Sequence, residues 1–225
     1  MSDHLRPTAP IFERALLPGD PGRAMALAQE LLEAPRMANH ARGLWGYSGS
    51  TPEGEELTIQ STGVGGPSIA VVLAELAEHG VRRAVRIGTC RAVDEALQPG
   101  DLIIAGAAIA RDGTGGALAG QGARVEPDPA LTAALADEAG IAPTTVASTD
   151  LYYGPEEVPG VGSRATVAAT DLASAAALAA GRRIGVAMAS GLVVARGADG
   201  ATLSDAEVES RSLDLGRAAA AALFS

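Results

Sequence analysis

A single α/β domain is the fold class that this 225-residue sequence predicts. Short apolar segments rich in β-branched residues alternate with helical patterns along the chain. No stretch between them has the composition of a linker, and the sequence shows no internal repeat. The length is sufficient for one large domain with its own core, so we expect one domain over residues 1–225.

Five segments have the length and composition of buried strands. They are residues 57–62, 84–87, 102–105, 144–148 and 186–194. Helical patterns and glycine turns separate these segments, which is the alternation typical of an α/β fold.

Two helices carry clear end signals. Pro67 stands in the first turn of a helix, where proline is tolerated, and Gly80 ends the same helix. Ser204 and Glu207 form a capping-box pattern before a C-terminal helix. Residues 112–122 contain five glycines, so we expect a mobile loop there rather than a regular element.

Charge and cysteine content limit the possible functions. The net charge of −10 disfavours a nucleic-acid partner, because such binding uses clustered Lys and Arg. The single cysteine rules out a disulfide within the chain, and the N-terminus lacks the pattern of a secretory signal. The most apolar tract, residues 165–180, is too short and too interrupted to span a membrane. We therefore expect a cytoplasmic protein without a membrane or nucleic-acid partner.

Three motifs have the composition of an anion site. Residues 18–23 read Pro-Gly-Asp-Pro-Gly-Arg and turn from a strand end into a helix. Residues 62–68 form a glycine turn that opens a second helix, and residues 86–90 read Arg-Ile-Gly-Thr-Cys at the end of an apolar segment. Backbone amides, guanidinium groups and a hydroxyl can then converge on one oxyanion. The combination is typical of an enzyme of phosphate chemistry.

Together with His4, residues 42–49 and residues 148–153, these motifs resemble the nucleoside phosphorylases of the uridine phosphorylase and hexameric purine nucleoside phosphorylase type. The resemblance extends over nearly the whole chain. It implies a three-layer α-β-α sandwich with a mixed central sheet. It also implies phosphorolysis of a nucleoside to a free base and ribose or deoxyribose 1-phosphate, with inorganic phosphate as co-substrate and no cofactor or metal. The expected assembly is a homodimer or a trimer of dimers with shared active sites.

The resemblance assigns five residues to the phosphate. Gly19 would use its backbone amide, Arg23 and Arg86 their guanidinium groups, Thr89 its amide and hydroxyl, and Arg42 would come from a neighbouring subunit. Arg86 is also expected to be catalytic. Independently of the resemblance, a guanidinium within an apolar strand is costly unless paired, so Arg86 should either function or form a buried ion pair.

The ribose site implied by the resemblance consists of Thr89, Asp171 and His4 from a neighbouring subunit. Asp171 stands where the family has a glutamate that accepts hydrogen bonds from the 2′- and 3′-hydroxyls, and it is one methylene shorter. Asp171 could equally cap the helix that follows it. His4 could equally be an ordinary exposed histidine near the terminus.

Base recognition is where the sequence departs from the family. The resemblance places Tyr152, Glu156, Arg91 and Arg196 around the base, with Tyr152 stacking on it. Arg196, the second residue expected to be catalytic, could stabilise the leaving base anion as in uridine phosphorylases, or could be an exposed arginine at a strand end. Val194 stands where purine phosphorylases have the aspartate that protonates the purine.

Arg91 replaces a family glycine next to the base. Its side chain could contact an acidic or carbonyl-rich base, add to phosphate binding, or block the usual substrate. The adjacent Cys90 is expected to be a small buried apolar residue without a role. Three functions follow: a nucleoside phosphorylase with an unusual base preference, which we favour, a hydrolytic nucleosidase of the same fold, or a catalytically degenerate homologue that binds a nucleoside or phosphate.

Overall fold

The computed structural model describes residues 3–151 and 167–225. Within these ranges the chain forms ten strands and six α-helices. In chain order they are β1 (Arg14–Pro18), α1 (Pro21–Leu31), β2 (Glu33–Asn39), β3 (Gly46–Ser50), β4 (Glu56–Gln60), α2 (Gly65–Glu78), β5 (Arg83–Ala92), β6 (Leu102–Ala110), α3 (Gly113–Ala119), β7 (Arg124–Val125), α4 (Pro129–Ala139), β8 (Thr144–Ser148), β9 (Ala169–Asp171), α5 (Ser174–Ile184), β10 (Ala187–Arg196) and α6 (Asp205–Phe224).

The described strands form one mixed sheet. β1 pairs in parallel with β4 and β5, and β5 pairs in parallel with β10. From β10 the sheet continues through β6, β8 and β9 and returns to β5, so that five strands close a ring. β3 and β2 extend the sheet beyond β4 in antiparallel order. The mixed central sheet expected from the sequence is confirmed.

Helices cover both faces of this sheet, each over its own apolar core. On one face α2, α3 and α5 pack together over a core that includes Leu73 and Leu178. On the other face α1, α4 and α6 enclose a core that includes Leu27 and Leu215. Burial of these apolar side chains is the main force that holds the layers together. The predicted three-layer arrangement is therefore also confirmed.

The glycine-rich segment 112–122 corrects the sequence prediction, because it contains helix α3 rather than a mobile loop. Asp112 caps this helix by accepting a hydrogen bond of 2.7 Å from the backbone N–H of Gly115. Gly115 also faces α5, since an added Cβ there would lie 3.2 Å from the Cβ of Ala175. Close packing of small residues and the aspartate cap thus offset the low helix propensity of glycine.

The other predicted elements differ from the structure mainly at their ends. The strand predicted over residues 144–148 is β8 with the same bounds, whereas β5 and β6 extend five residues beyond their predicted ends at residues 87 and 105. The predicted capping box of Ser204 and Glu207 is present at the start of α6. None of the helices in the described ranges is both long enough and apolar enough to cross a membrane.

Candidate active site

Two of the predicted anion-binding loops meet beyond the carboxyl ends of β1 and β4. The backbone N–H groups of residues 62 and 63 donate hydrogen bonds of 2.9 and 3.0 Å to the carbonyl oxygens of residues 18 and 19. β5 lies beside β1, with Ile87 opposite Pro18, so the third motif reaches the same edge. The strand register therefore brings the three predicted motifs together.

Arg86 is the buried cation at this edge. Its Nη2 atom lies 3.1 Å from Oδ2 of Asp171, which confirms the predicted buried ion pair. Its Nη1 atom is also buried and has no hydrogen-bond partner among the described residues. An added Cβ at Gly88 would lie 1.7 Å from Nη1, so a larger residue at position 88 would displace the guanidinium from this place. Arg86 thus keeps a buried donor free for an anion.

Arg23 brings a second guanidinium to the same place. It lies in the first turn of α1, where its backbone N–H donates to Asp20, and its Nη2 would be 3.9 Å from a Cβ added at Gly19. Its Nη1 is buried without a hydrogen-bond partner in the described part of the chain. Burial lowers the pKa of Arg23, Asp20 opposes this change, and the nearby Arg86 adds to it. Two neighbouring guanidinium groups with unsatisfied buried donors are stabilised by a bound anion.

Asp171, at the end of β9, is buried and its carboxylate is occupied. It accepts hydrogen bonds from the Ser148 hydroxyl at 2.6 Å, from the Ser174 hydroxyl at 2.8 Å and from the Ser174 backbone N–H at 3.0 Å, and it forms the ion pair with Arg86. The Ser174 hydroxyl also lies 2.9 Å from that of Ser190. A carboxylate offers about four lone-pair positions, so groups of the chain itself occupy them. Asp171 is not the N-cap residue considered from the sequence, because Ala173 holds that position, but it accepts the backbone N–H of Ser174, the first residue of α5.

Beyond the buried arginine, β5 carries two more predicted site residues, Thr89 and Arg91, both half-buried. Arg91 lies opposite Arg196 of β10 and opposite Thr170 of β9. Arg196 is exposed, and the strand register shifts between Val194 and Arg196. Neither arginine forms an ion pair with a carboxylate in residues 3–151 and 167–225. The structure therefore brings the two predicted base-site cations to neighbouring positions.

His4 and Arg42 are not joined to this group. Arg42 is exposed in a short 3-10 turn, Ala41–Gly43, with a left-handed φ of 58° that is uncommon outside glycine. The His4 ring lies on α2, with Nδ1 2.7 Å from Oε1 of Glu75. Neither side chain has a hydrogen bond or ion pair with Arg86 or Asp171. Their action from a neighbouring subunit stays a prediction.

The family model described as the phosphorylase superfamily matches residues 13–224. The chain belongs to the phosphorylase superfamily. The protein named purine nucleoside phosphorylase DeoD-type from Clostridium beijerinckii is 35% identical over 166 residues, which are 70% of this chain and 69% of that protein.

Two further proteins of the same name align over shorter segments. The one from Oceanobacillus iheyensis is 42% identical over 96 residues, which are 42% of this chain and 40% of that protein. The one from Geobacillus kaustophilus is 42% identical over 107 residues, which are 47% of this chain and 45% of that protein. In these two alignments the chain spans less than half the length of its superfamily relative.

Three predictions for this superfamily member concern the vicinity of the base. Tyr152 and Glu156 lie outside the described residues. Cys90 is buried, with its sulfur 3.6 Å from the carbonyl oxygen of Val193, and burial raises the pKa of its thiol. A buried thiol with a raised pKa is unreactive, so the prediction of a small buried apolar residue is confirmed.

Sequence reasoning missed the hydroxyl groups that support the buried ion pair. Ser148, Ser174 and Ser190 lie in three different elements; the first two donate to the Asp171 carboxylate, and the hydroxyl of Ser190 contacts that of Ser174. No spacing along the chain indicates this cluster. The available signal was that Ser174 and Ser190 interrupt apolar segments, where a buried hydroxyl needs a hydrogen-bond partner. Sequence reasoning also missed Glu75, although a charged residue among the apolar residues of α2 likewise indicates a need for partners.

Proposed function

We propose that the protein cleaves the N-glycosidic bond of a nucleoside with inorganic phosphate, giving a free base and ribose or deoxyribose 1-phosphate. The observation that carries this proposal is the pair of Arg23 and Arg86, each with a buried Nη1 that lacks a hydrogen-bond partner among the described residues. A phosphate dianion can accept hydrogen bonds from both groups and compensate both charges. Membership of the phosphorylase superfamily supports the same chemistry.

In this proposal the phosphate lies against the loop that follows β1 and against the neighbouring part of β5. Arg23 and Arg86 bind its oxygens, and the backbone amide of Gly19 and the amide and hydroxyl of Thr89 complete the site. Arg42 would enter from a neighbouring subunit. Fixing the phosphate below the anomeric carbon replaces a bimolecular encounter with a positioned attack. The bound dianion also stabilises the positive charge that develops on the sugar as the base departs.

We assign Asp171 the role of holding Arg86 in place. Its carboxylate already accepts hydrogen bonds from Ser148 and Ser174 and forms an ion pair with Arg86, so a ribose hydroxyl would have to displace one of these groups. The sugar contacts in this proposal therefore belong first to Thr89 and to His4 of a neighbouring subunit.

At the base end, we propose that Arg91 and Arg196 lie beside the base, with Tyr152 stacking on it and Glu156 at its edge. Val194 has no proton to give, so the base would leave as an anion rather than be protonated by an aspartate. The positive charge of Arg196 would stabilise that anion, which is our reason for expecting it to be catalytic. Two neighbouring cations favour a base with carbonyl oxygens or an acidic group.

The experiment that tests the function is incubation with a panel of purine and pyrimidine nucleosides, with and without inorganic phosphate. Free base is measured by chromatography. Release only in the presence of phosphate would support the proposal and identify the base. Release of free base without phosphate would refute phosphorolysis and show that the protein is a nucleosidase. If no base is released but calorimetry shows that phosphate binds, the protein is a catalytically degenerate binding homologue.

A further inference from the structure

Glu75 is a buried carboxylate within α2, and the proposed reaction does not use it. It accepts hydrogen bonds from three successive backbone N–H groups, those of Asp3 at 3.1 Å, His4 at 3.0 Å and Leu5 at 2.7 Å. Leu5 is 1% exposed and belongs to the core beneath α2. The carboxylate and this leucine together fix the N-terminal segment to the helix.

The same carboxylate also binds the ring of His4, whose Nδ1 lies 2.7 Å from Oε1. Burial acts to raise the pKa of Glu75, but the hydrogen bonds from Leu5, His4 and Asp3 outweigh it and hold the pKa below its usual value. Glu75 is therefore ionised at neutral pH. An ionised carboxylate can only accept hydrogen bonds, so Nδ1 of His4 must carry the proton of this contact.

Nε2, the other ring nitrogen of His4, takes no part in the contact with Glu75 and can bind another group. Nε2 has no hydrogen bond within the described residues, and 36% of the side-chain surface is exposed. In the neutral ring only one nitrogen is protonated, so an Nδ1 that donates to Glu75 makes Nε2 an acceptor. An acceptor nitrogen suits a ligand group that donates, such as a hydroxyl.

We infer that Glu75 is a positioning residue that sets the tautomer and orientation of His4, so that Nε2 accepts a hydrogen bond from the 5′-hydroxyl of a nucleoside. This inference rests on the proposed function, which brings His4 to the ribose of a neighbouring subunit. A ligand group that has no proton to donate cannot form this hydrogen bond to an accepting Nε2.

The tautomer is tested directly by nitrogen NMR of protein labelled with 15N-histidine. The sequence has three histidines, and the His4→Asn variant identifies the His4 signals by their loss. We expect neutral His4 to be protonated at Nδ1 and unprotonated at Nε2. Protonation at Nε2 in the wild-type protein would overturn the inference. Because this measurement needs no turnover, it decides the Glu75 contact even if the proposed function fails.

The effect on substrate choice is tested with Glu75→Gln and with matched nucleosides that have or lack the 5′-hydroxyl. We expect wild type to prefer the hydroxyl-bearing nucleoside in kcat/KM, and Glu75→Gln to reduce this preference about fivefold. Turnover of the 5′-deoxynucleoside should stay unchanged, and the effect should vanish in the His4→Asn background.

Glu138→Gln, which changes an exposed carboxylate on α4, serves as the matched control. An equal loss with both nucleosides in Glu75→Gln would show that Glu75 only stabilises the fold, and would overturn the inference. Should Glu75→Gln fail to fold, the NMR tautomer of the wild-type protein decides the question. Absence of phosphorolysis with every nucleoside would instead be a failure of the proposed function.

Discussion

The proposed phosphate end of the candidate site, around Arg86, and its proposed base end, around Arg91 and Arg196, are kept in place by different interactions. At the phosphate end, Arg86 is buried, paired with Asp171 and laid across Gly88, and the neighbouring loops are joined by backbone hydrogen bonds. At the base end, Arg91 and Arg196 lie side by side without a carboxylate partner in the described part of the chain. The first end is fixed by the fold, whereas the second depends on side chains that can change without disturbing the sheet. We therefore expect phosphate chemistry to be robust and base preference to be adjustable.

The largest effect is expected from Arg86→Ala, which removes the buried cation of the phosphate end. Phosphate-dependent base release should fall at least about 100-fold, because loss of one donor to the reacting anion has effects of this size. The substitution also leaves Asp171 buried without a cation, which costs about 3–5 kcal/mol of folding free energy. Initial rates and the thermal midpoint of unfolding should be measured together.

Two further variants separate catalysis from stability in this experiment. Arg86→Lys keeps the positive charge but loses the planar fork, so it should restore stability better than activity. Arg183→Ala changes an exposed arginine in the last turn of α5 and should behave like wild type. A wild-type rate in folded Arg86→Ala protein would refute the assignment of the phosphate site.

A smaller effect is expected from Asp171→Asn, which keeps the shape of the side chain but removes its charge. If Asp171 positions Arg86, KM for phosphate should rise about tenfold, the size expected for weakening a hydrogen bond to a charged group. The ratio of kcat/KM for a ribonucleoside and its 2′-deoxy analogue should stay unchanged. Steady-state kinetics with both nucleosides and varied phosphate measure these quantities.

The same kinetic measurements would also reveal the alternative, in which Asp171 binds the ribose. If Asp171 instead bound the 2′-hydroxyl, Asp171→Asn would impair the ribonucleoside, spare the 2′-deoxynucleoside and leave KM for phosphate unchanged. Asp137→Asn removes the charge of an exposed aspartate on α4 and controls for the change in net charge.

The sequence was sufficient for features whose parts are contiguous along the chain. Residues 86–90 place a cation, a glycine and a hydroxyl along one strand, and the capping box of α6 spans four residues. The capping box acts through local geometry, so its spacing along the chain was enough to predict it. The sequence could also predict that Arg86 has a buried partner, without saying which residue it is, because an arginine in an apolar strand needs one.

The partners themselves could not be predicted, because they are set by sheet register. Asp171 meets Arg86 since β9 runs antiparallel to β5 and parallel to β8. Glu75 and the His4 ring are 71 residues apart in the chain. Helix α3 was missed for a related reason, since its glycines oppose a helix in isolation and allow one only against α5. Tertiary packing decided each of these features.

The smallest effect is expected at the base end, from Arg91→Ala. Removing this half-buried cation should leave KM for phosphate unchanged and change the relative kcat/KM among bases by up to about fivefold, the range of a partly exposed charge contact. Arg91→Gly should widen base acceptance further, because it restores the small residue that the resembling family has there, although glycine weakens the strand by about 0.5–1 kcal/mol relative to alanine.

Arg91→Lys distinguishes charge from bulk at this position. If charge selects the base, the lysine variant should keep the wild-type preference for carbonyl-rich or acidic bases while the alanine variant loses it. If bulk excludes larger bases, lysine and arginine should exclude them alike and alanine should admit them. An identical nucleoside profile in all three variants would show that Arg91 lies away from the base. The base preference would then depend on Arg196, Tyr152 and Glu156.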